Sequence, residues 1–125
     1  KFNNLLKGKN KIFKIETLKA IKNFRSILKK GNYFLIDRGD LSKDVKIENI
    51  PIVQRHLFEI KKEFRNKNIF ITTNLSEGVL ENNYPTGSEA NDIYNSLEMG
   101  AGGLVLAAET AIGKYPTECV KVVFL

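Results

Sequence analysis

The chain has 125 residues, 42% of them apolar, and a formal charge of +6 from 20 Lys and Arg against 14 Asp and Glu. That length suffices for one core, burying roughly two thirds of the extended surface, and the composition excludes a disordered chain. No apolar run approaches the ~20 residues that span a bilayer, and a lone cysteine, Cys119, excludes an internal disulfide and speaks against a cysteine metal site, as in a reducing cytoplasm.

The β-branched and aromatic run Lys11-Ile12-Phe13-Lys14-Ile15-Glu16 predicts a first strand. Thr17 is placed to cap a helix whose inward face repeats through Leu18, Ile21, Phe24, Ile27 and Leu28, and Gly31-Asn32 stops it. Tyr33 to Ile36 is continuously apolar, as in a strand buried on both faces. A polar loop is expected from Arg38 to Asn49. Pro51 to Arg65 reads as a helix with Ile52, Leu57, Ile60 and Phe64 inward.

A third strand is expected over Asn68 to Thr73 and a long polar loop over Asn74 to Gly87. Ser88 to Met99 has helical spacing with Ile93 and Leu97 on one side, and Gly100 ends it. Gly103 to Ala107 is a fourth strand, and Pro116 is well placed to open a last helix.

The expected fold class is α/β, with parallel β/α units forming about half of an eight-stranded (β/α)8 barrel. Half a barrel leaves open sheet edges. The start at Lys1 without Met or an apolar leader, and the apolar finish through Phe124 and Leu125, agree with residues 1–125 being a segment of a larger protein.

The net positive charge suits an anionic partner. Its lysines, however, are scattered over helix-like segments, and solvated helix faces account for most of them. Neither an aromatic platform nor a recognised motif supports nucleic-acid binding, and nothing points to a membrane. His56 reads as a surface or partly buried helix residue, and Cys119 and Tyr115 read as packing residues.

Glu16 closes the first strand, and Asp40 follows the second strand at a separation of 24 residues (40 − 16). In a barrel of parallel strands the C-terminal ends converge on one mouth, so these residues meet Lys14 there. Two carboxylates and a lysine so placed suit a hard divalent cation that holds an anionic substrate.

Five blocks in order give a resemblance to the second half of the pyruvate kinase barrel. They are Lys14-Ile15-Glu16, Arg38-Gly39-Asp40-Leu41 with Gln54 in the following helix, Thr72-Thr73-Asn74-Leu75-Ser76-Glu77 with one inserted residue, Pro85-Thr86 with Glu89 and Asp92, and Glu109-Thr110-Ala111 with Gly113-Lys114-Tyr115-Pro116. The resemblance implies phosphoryl transfer from phosphoenolpyruvate to ADP, giving pyruvate and ATP in glycolysis, by a cytoplasmic homo-oligomer. Glu16 and Asp40 would ligate Mg²⁺ or Mn²⁺, and the ligands of any K⁺ would lie outside this chain. Lys14 would stabilise the transferring group. Gly39 and Asp40 would hold the substrate carboxylate, and Thr73 (or Thr72) would contact substrate and serve the proton path. Arg38 and Glu109 would support the site. The plainer reading of a single Asp or Glu is a helix cap or surface pair, and the shared spacing with Lys14 is what outweighs it.

The chain departs from the family pattern at Ala107-Ala108, where Ser-Gly is usual, and at Ile112, where lysine is common. Gly87-Ser88 stands for Arg-Ala, and Gly102 for a frequent Asp. These departures keep two other readings open: a degenerate, non-catalytic barrel that binds a carboxylate or phosphate ligand, and a Mg-dependent pyruvate-enolate lyase. The family's lid and C-terminal regulatory domains have no counterpart in these residues.

Overall fold

In a computed structural model that describes residues 2–73 and 84–123, the apolar runs expected as strands are strands, all of them short. The chain divides into two units, Lys1–Ile69 and Phe70–Leu125.

The first unit begins with a short helix, α1 (Phe2–Leu5), followed by β1 (Ile12–Ile15), α2 (Leu18–Lys22) and α3 (Phe24–Leu28). Next come β2 (Tyr33–Ile36), α4 (Arg38–Leu41), a 3₁₀ turn (Ile47–Asn49), α5 (Ile50–Lys62) and the start of β3 (Asn68–Thr72). Strands β1 and β2 are parallel, with Ile12 opposite Tyr33, Phe13 opposite Phe34, Lys14 opposite Leu35 and Ile15 opposite Ile36.

Side chains alternate across a strand, and here the alternation decides what is buried. Ile15, Phe34 and Ile36 have no exposed surface. Phe13 stacks on Phe34 with ring centroids 5.8 Å apart, and Phe24 of α3 meets Phe34 edge-on at 6.3 Å. Gly31 lies so close to this cluster that a β-carbon there would sit 2.5 Å from Cε2 of Phe13. The opposite face carries Ile12, Lys14 and Glu16 on one strand and Tyr33 and Leu35 on the other; Ile12 is 61% and Tyr33 41% exposed. Strand β2 is therefore covered on one face rather than the two expected.

Several local expectations change. The single helix expected over Leu18–Leu28 is two pieces, because Asn23 leaves helical geometry (φ −102°, ψ 13°) and its side-chain amide donates to the carbonyl of Lys19 at 2.8 Å. Such local bonds compete with the helical ladder. Thr17 does cap α2, its hydroxyl accepting from the Ala20 amide at 3.1 Å. The loop expected after β2 contains α4 because Asp37 caps it. On α5 the buried face is Ile50, Gln54, Leu57, Phe58 and Ile60, while Ile52 is 68% exposed and Phe64 half-buried. Ile52 and Leu57 are five residues apart, roughly 140° around the helix, so they cannot share a narrow stripe. Arg25 of α3 holds Glu63 at the end of α5 through both guanidinium nitrogens, one pair at 2.7 Å.

In the second unit β3 runs parallel to β4 (Gly103–Val105), with Phe70 opposite Gly103 and Thr72 opposite Val105. Helix α6 (Gly87–Glu98) opens with a capping box: the Thr86 hydroxyl accepts from the Glu89 amide at 3.2 Å, and the Glu89 carboxylate accepts from the Thr86 amide at 2.7 Å. It closes at Gly100, whose φ of 96° allows the Ala101 amide to reach the carbonyl of Ser96 at 3.2 Å and its own amide to reach that of Leu97 at 2.9 Å. Along α6 the covered stripe is Glu89, Ile93 and Ser96, whereas Leu97 is 47% exposed. The short helix α7 (Ala108–Ala111) precedes α8 (Pro116–Val123). Cys119 is fully buried against Ile93, Leu106, Tyr115, Val122 and Val123, the packing role its sequence suggested for it and for Tyr115. No helix among the described residues is long and apolar enough to cross a membrane.

Candidate functional site

Glu16 is the residue after the last residue of β1, and Asp37 the residue after the last of β2. Because Ile15 lies opposite Ile36, the two acidic residues end neighbouring strands side by side. The Asp37 amide donates to the carbonyl of Ile15 at 3.1 Å and carries the ladder one step further. Lys14 and Glu16 are two residues apart on one strand, so they share the open face while Ile15 points into the core.

Asp37 also fixes the next element. Its Oδ1 accepts the Asp40 amide at 3.2 Å as the N-cap of α4. That one turn of helix returns the Asp40 carboxylate toward the strand ends. As a result, Glu16, Asp37 and Asp40 each offer a carboxylate oxygen within 4.8 Å of the others. All three are part-buried.

The ammonium of Lys14 sits among them: 2.8 Å from Glu16 Oε2, 2.9 Å from Asp37 Oδ2 and 3.5 Å from Asp40 Oδ2. Its proton is held more tightly than in a free lysine, chiefly by Glu16 and then by Asp37, so the pKa rises well above 10.5. Asp40 is shared: its other oxygen meets Lys43 Nζ at 2.7 Å, and that contact first, then Lys14, lowers its pKa below 3.8. Lys43 is raised in return, chiefly by Asp40. Glu16 Oε2 is shielded from solvent and faces the Lys14 ammonium at 2.8 Å.

This oxygen-only donor set, three carboxylates within 4.8 Å of one another, fits a hard divalent cation. The sequence reading named Glu16, Asp40 and Lys14, and all three converge. It missed Asp37. A signal was present, because an acidic residue directly follows the final isoleucine of each strand, at Ile15-Glu16 and Ile36-Asp37.

Of the remaining candidates, Gly39 is the second residue of α4, where an amide has no intrahelical acceptor. It has negative φ, and a β-carbon there would meet only Asp37 Oδ1, at 3.6 Å, so neither conformation nor crowding demands glycine. Arg38 is part-buried at the start of the same turn. Thr73 belongs to the second unit and is 5% exposed. Its amide donates to the carbonyl of Val105 at 2.9 Å and its hydroxyl to the same oxygen at 3.3 Å. The alternative, Thr72, is 8% exposed within β3. The side chain of Glu109 and the block from Asn74 to Glu77 lie outside the described residues. Ala107 is the N-cap of α7 and has no side-chain oxygen to offer, while Ile112 is 87% exposed. His56 is exposed on α5, as expected.

A family model described as "Pyruvate kinase, barrel domain" matches residues 5–120. The pyruvate kinase of Thermotoga maritima is 40% identical over 111 residues, covering 89% of this chain and 24% of that protein. The enzyme of that name from Methanocaldococcus jannaschii is 39% identical over 111 residues, covering 89% and 25%. Among solved structures, pyruvate kinase from Pyrobaculum aerophilum matches with a TM-score of 0.84 at 30% identity, covering 94% of this chain and 27% of that one. This chain thus spans about a quarter of the length of the curated relatives it matches, and its fold class is the expected one, parallel β/α units of a barrel.

Proposed function

Because the chain belongs to the pyruvate kinase family, as part of its barrel domain, we propose that the protein containing it transfers phosphoryl from phosphoenolpyruvate to ADP. Products would be pyruvate and ATP, as in glycolysis, and the setting cytoplasmic. The observation that carries this reading is the meeting of Lys14 with Glu16, Asp37 and Asp40 at two adjacent strand ends.

Phosphoryl transfer is governed by positioning and charge neutralisation more than by covalent help from the protein. Glu16 and Asp40 would hold Mg²⁺ or Mn²⁺, which when bound offsets negative charge on substrate oxygens. Lys14 supplies a fixed positive charge. Its ammonium is stabilised by two carboxylates and stays protonated at neutral pH, so it serves the transferring group and the developing enolate as a cation and not as a base. The amides of Gly39 and Asp40 would receive the substrate carboxylate; the Asp40 amide would exchange its bond to Asp37 for that contact. Arg38 and Glu109 would orient the surrounding groups. Thr73 would contact substrate and lend its hydroxyl to the proton path toward the enolate carbon. The ligands of any K⁺, and the surfaces of a homo-oligomer, would lie outside these residues.

Pyruvate formation from phosphoenolpyruvate and ADP by the full natural protein, with and without Mg²⁺, tests the reading. Magnesium-dependent turnover is expected. A folded protein that binds Mg²⁺ and oxalate but gives no pyruvate would refute it in favour of a ligand-binding barrel or an enolate lyase.

A further inference from the structure

Resting on the cation site just proposed, we propose that Asp37 is a positioning residue for Lys14, giving its ammonium a seat separate from the two metal-holding carboxylates. The distances carry the idea. Lys14 Nζ is equally close to Glu16 and Asp37, at 2.8 and 2.9 Å, and looser to Asp40, at 3.5 Å. In this arrangement the ammonium neutralises the same oxygens that a divalent cation needs. Two cations cannot share Glu16 and Asp40 without strong repulsion, so Lys14 must give up part of its pairing when the site fills. Asp37 is the one partner it keeps. Without it, the lysine either stays on Glu16 and Asp40 and opposes the ion, or swings into solvent and is lost to the substrate.

Asp37 is suited to this by its two oxygens. Oδ1 is committed to the Asp40 amide, which fixes the side chain, and Oδ2 faces Lys14. One group thereby couples the strand that carries the lysine to the turn that carries a metal-holding carboxylate. Its place is set by backbone: the ladder bond from its amide to Ile15 puts it directly beside Glu16.

The two roles of Asp37 are separable by mutation. Asp37→Asn keeps an oxygen able to cap Asp40 but removes the charge that seats Lys14. Mn²⁺ affinity and steady-state kinetics are measured on the full natural protein for D37N, K14M and the double variant. K14M should bind Mn²⁺ tighter and D37N weaker, each by roughly threefold, the scale of part-exposed charge pairs. With Lys14 absent, D37N should weaken Mn²⁺ binding by a smaller factor than with Lys14 present, since only the direct attraction of one carboxylate remains to be lost. D37N should lower kcat with little change in KM for phosphoenolpyruvate. An equal or larger loss of Mn²⁺ affinity in the K14M background would overturn the proposal and make Asp37 an independent cation ligand. Unchanged kcat in D37N would overturn it too, leaving a cap alone. Glu16→Gln separates the two levels: if it also leaves Mn²⁺ binding unchanged, the cation-site reading itself fails. If it weakens binding while the cycle shows no coupling, only the role of Asp37 fails.

Discussion

Replacing Lys14 with Met keeps most of the side-chain volume and removes the charge at the centre of the carboxylate group. The lost interactions are two close ion pairs, at 2.8 and 2.9 Å, and a longer one at 3.5 Å. Lys14 is 46% exposed, so solvent screening discounts each pair to roughly 0.2–1 kcal/mol, and the variant should lose about 1–2 kcal/mol at pH 7. The sign with pH follows from the direction of the shift. A lysine whose pKa is raised on folding stabilises the fold fully below its ordinary value near 10.5 and ceases to do so as the solution grows strongly alkaline. The carboxylate side runs the other way: Asp40 is lowered below 3.8, so its contribution is present above that pH and is lost in acid. The cost of Lys14→Met should therefore hold across the neutral range and shrink at high ionic strength, which screens pairs this exposed. The chain has no tryptophan, so urea unfolding is best followed by far-ultraviolet circular dichroism at pH 7, in about 0.1 M and about 1 M NaCl. An undiminished difference at about 1 M NaCl would show that packing of the lysine stem, rather than charge pairing, is what the mutation removes.

Asp40→Asn should abolish Mn²⁺-dependent ligand binding, and an unchanged Mn²⁺ titration would remove Asp40 from the cation site. Phe34→Ala should cost about 3–5 kcal/mol, because the ring is fully buried between Phe13 and Phe24; a urea midpoint within error of the parent's would contradict that packing. Thr86→Ala removes the hydroxyl half of the capping box on α6 and leaves the half made by its backbone amide, and should cost about 1 kcal/mol, read from the same unfolding curves. Ala107→Ser supplies the missing cap oxygen at α7 and should gain about 1 kcal/mol; a faster turnover would further indicate that proton delivery was limiting.

The sequence by itself determined where the elements lie and what begins and ends them. Strands fall where β-branched and aromatic residues run together, Thr17, Thr86 and Gly100 act at the ends their chemistry suits, and Glu16 stands just past β1 because charge ends an apolar run. These are local effects, settled within a few residues by side-chain shape and backbone hydrogen bonding. Which face of an element is covered was decided only by packing. Gln54 and Phe58 are buried on α5 and Ile52 is not; Leu97 is exposed on α6 although it repeats at helical spacing; β2 is covered on one side alone. Periodicity names a stripe, but the neighbouring element selects it. The same holds for Asp37. Its place beside Glu16 and Lys14 depends on the register that sets Ile15 against Ile36, a long-range pairing, and a shift of that register would have left it a capping residue with no ion pair to make.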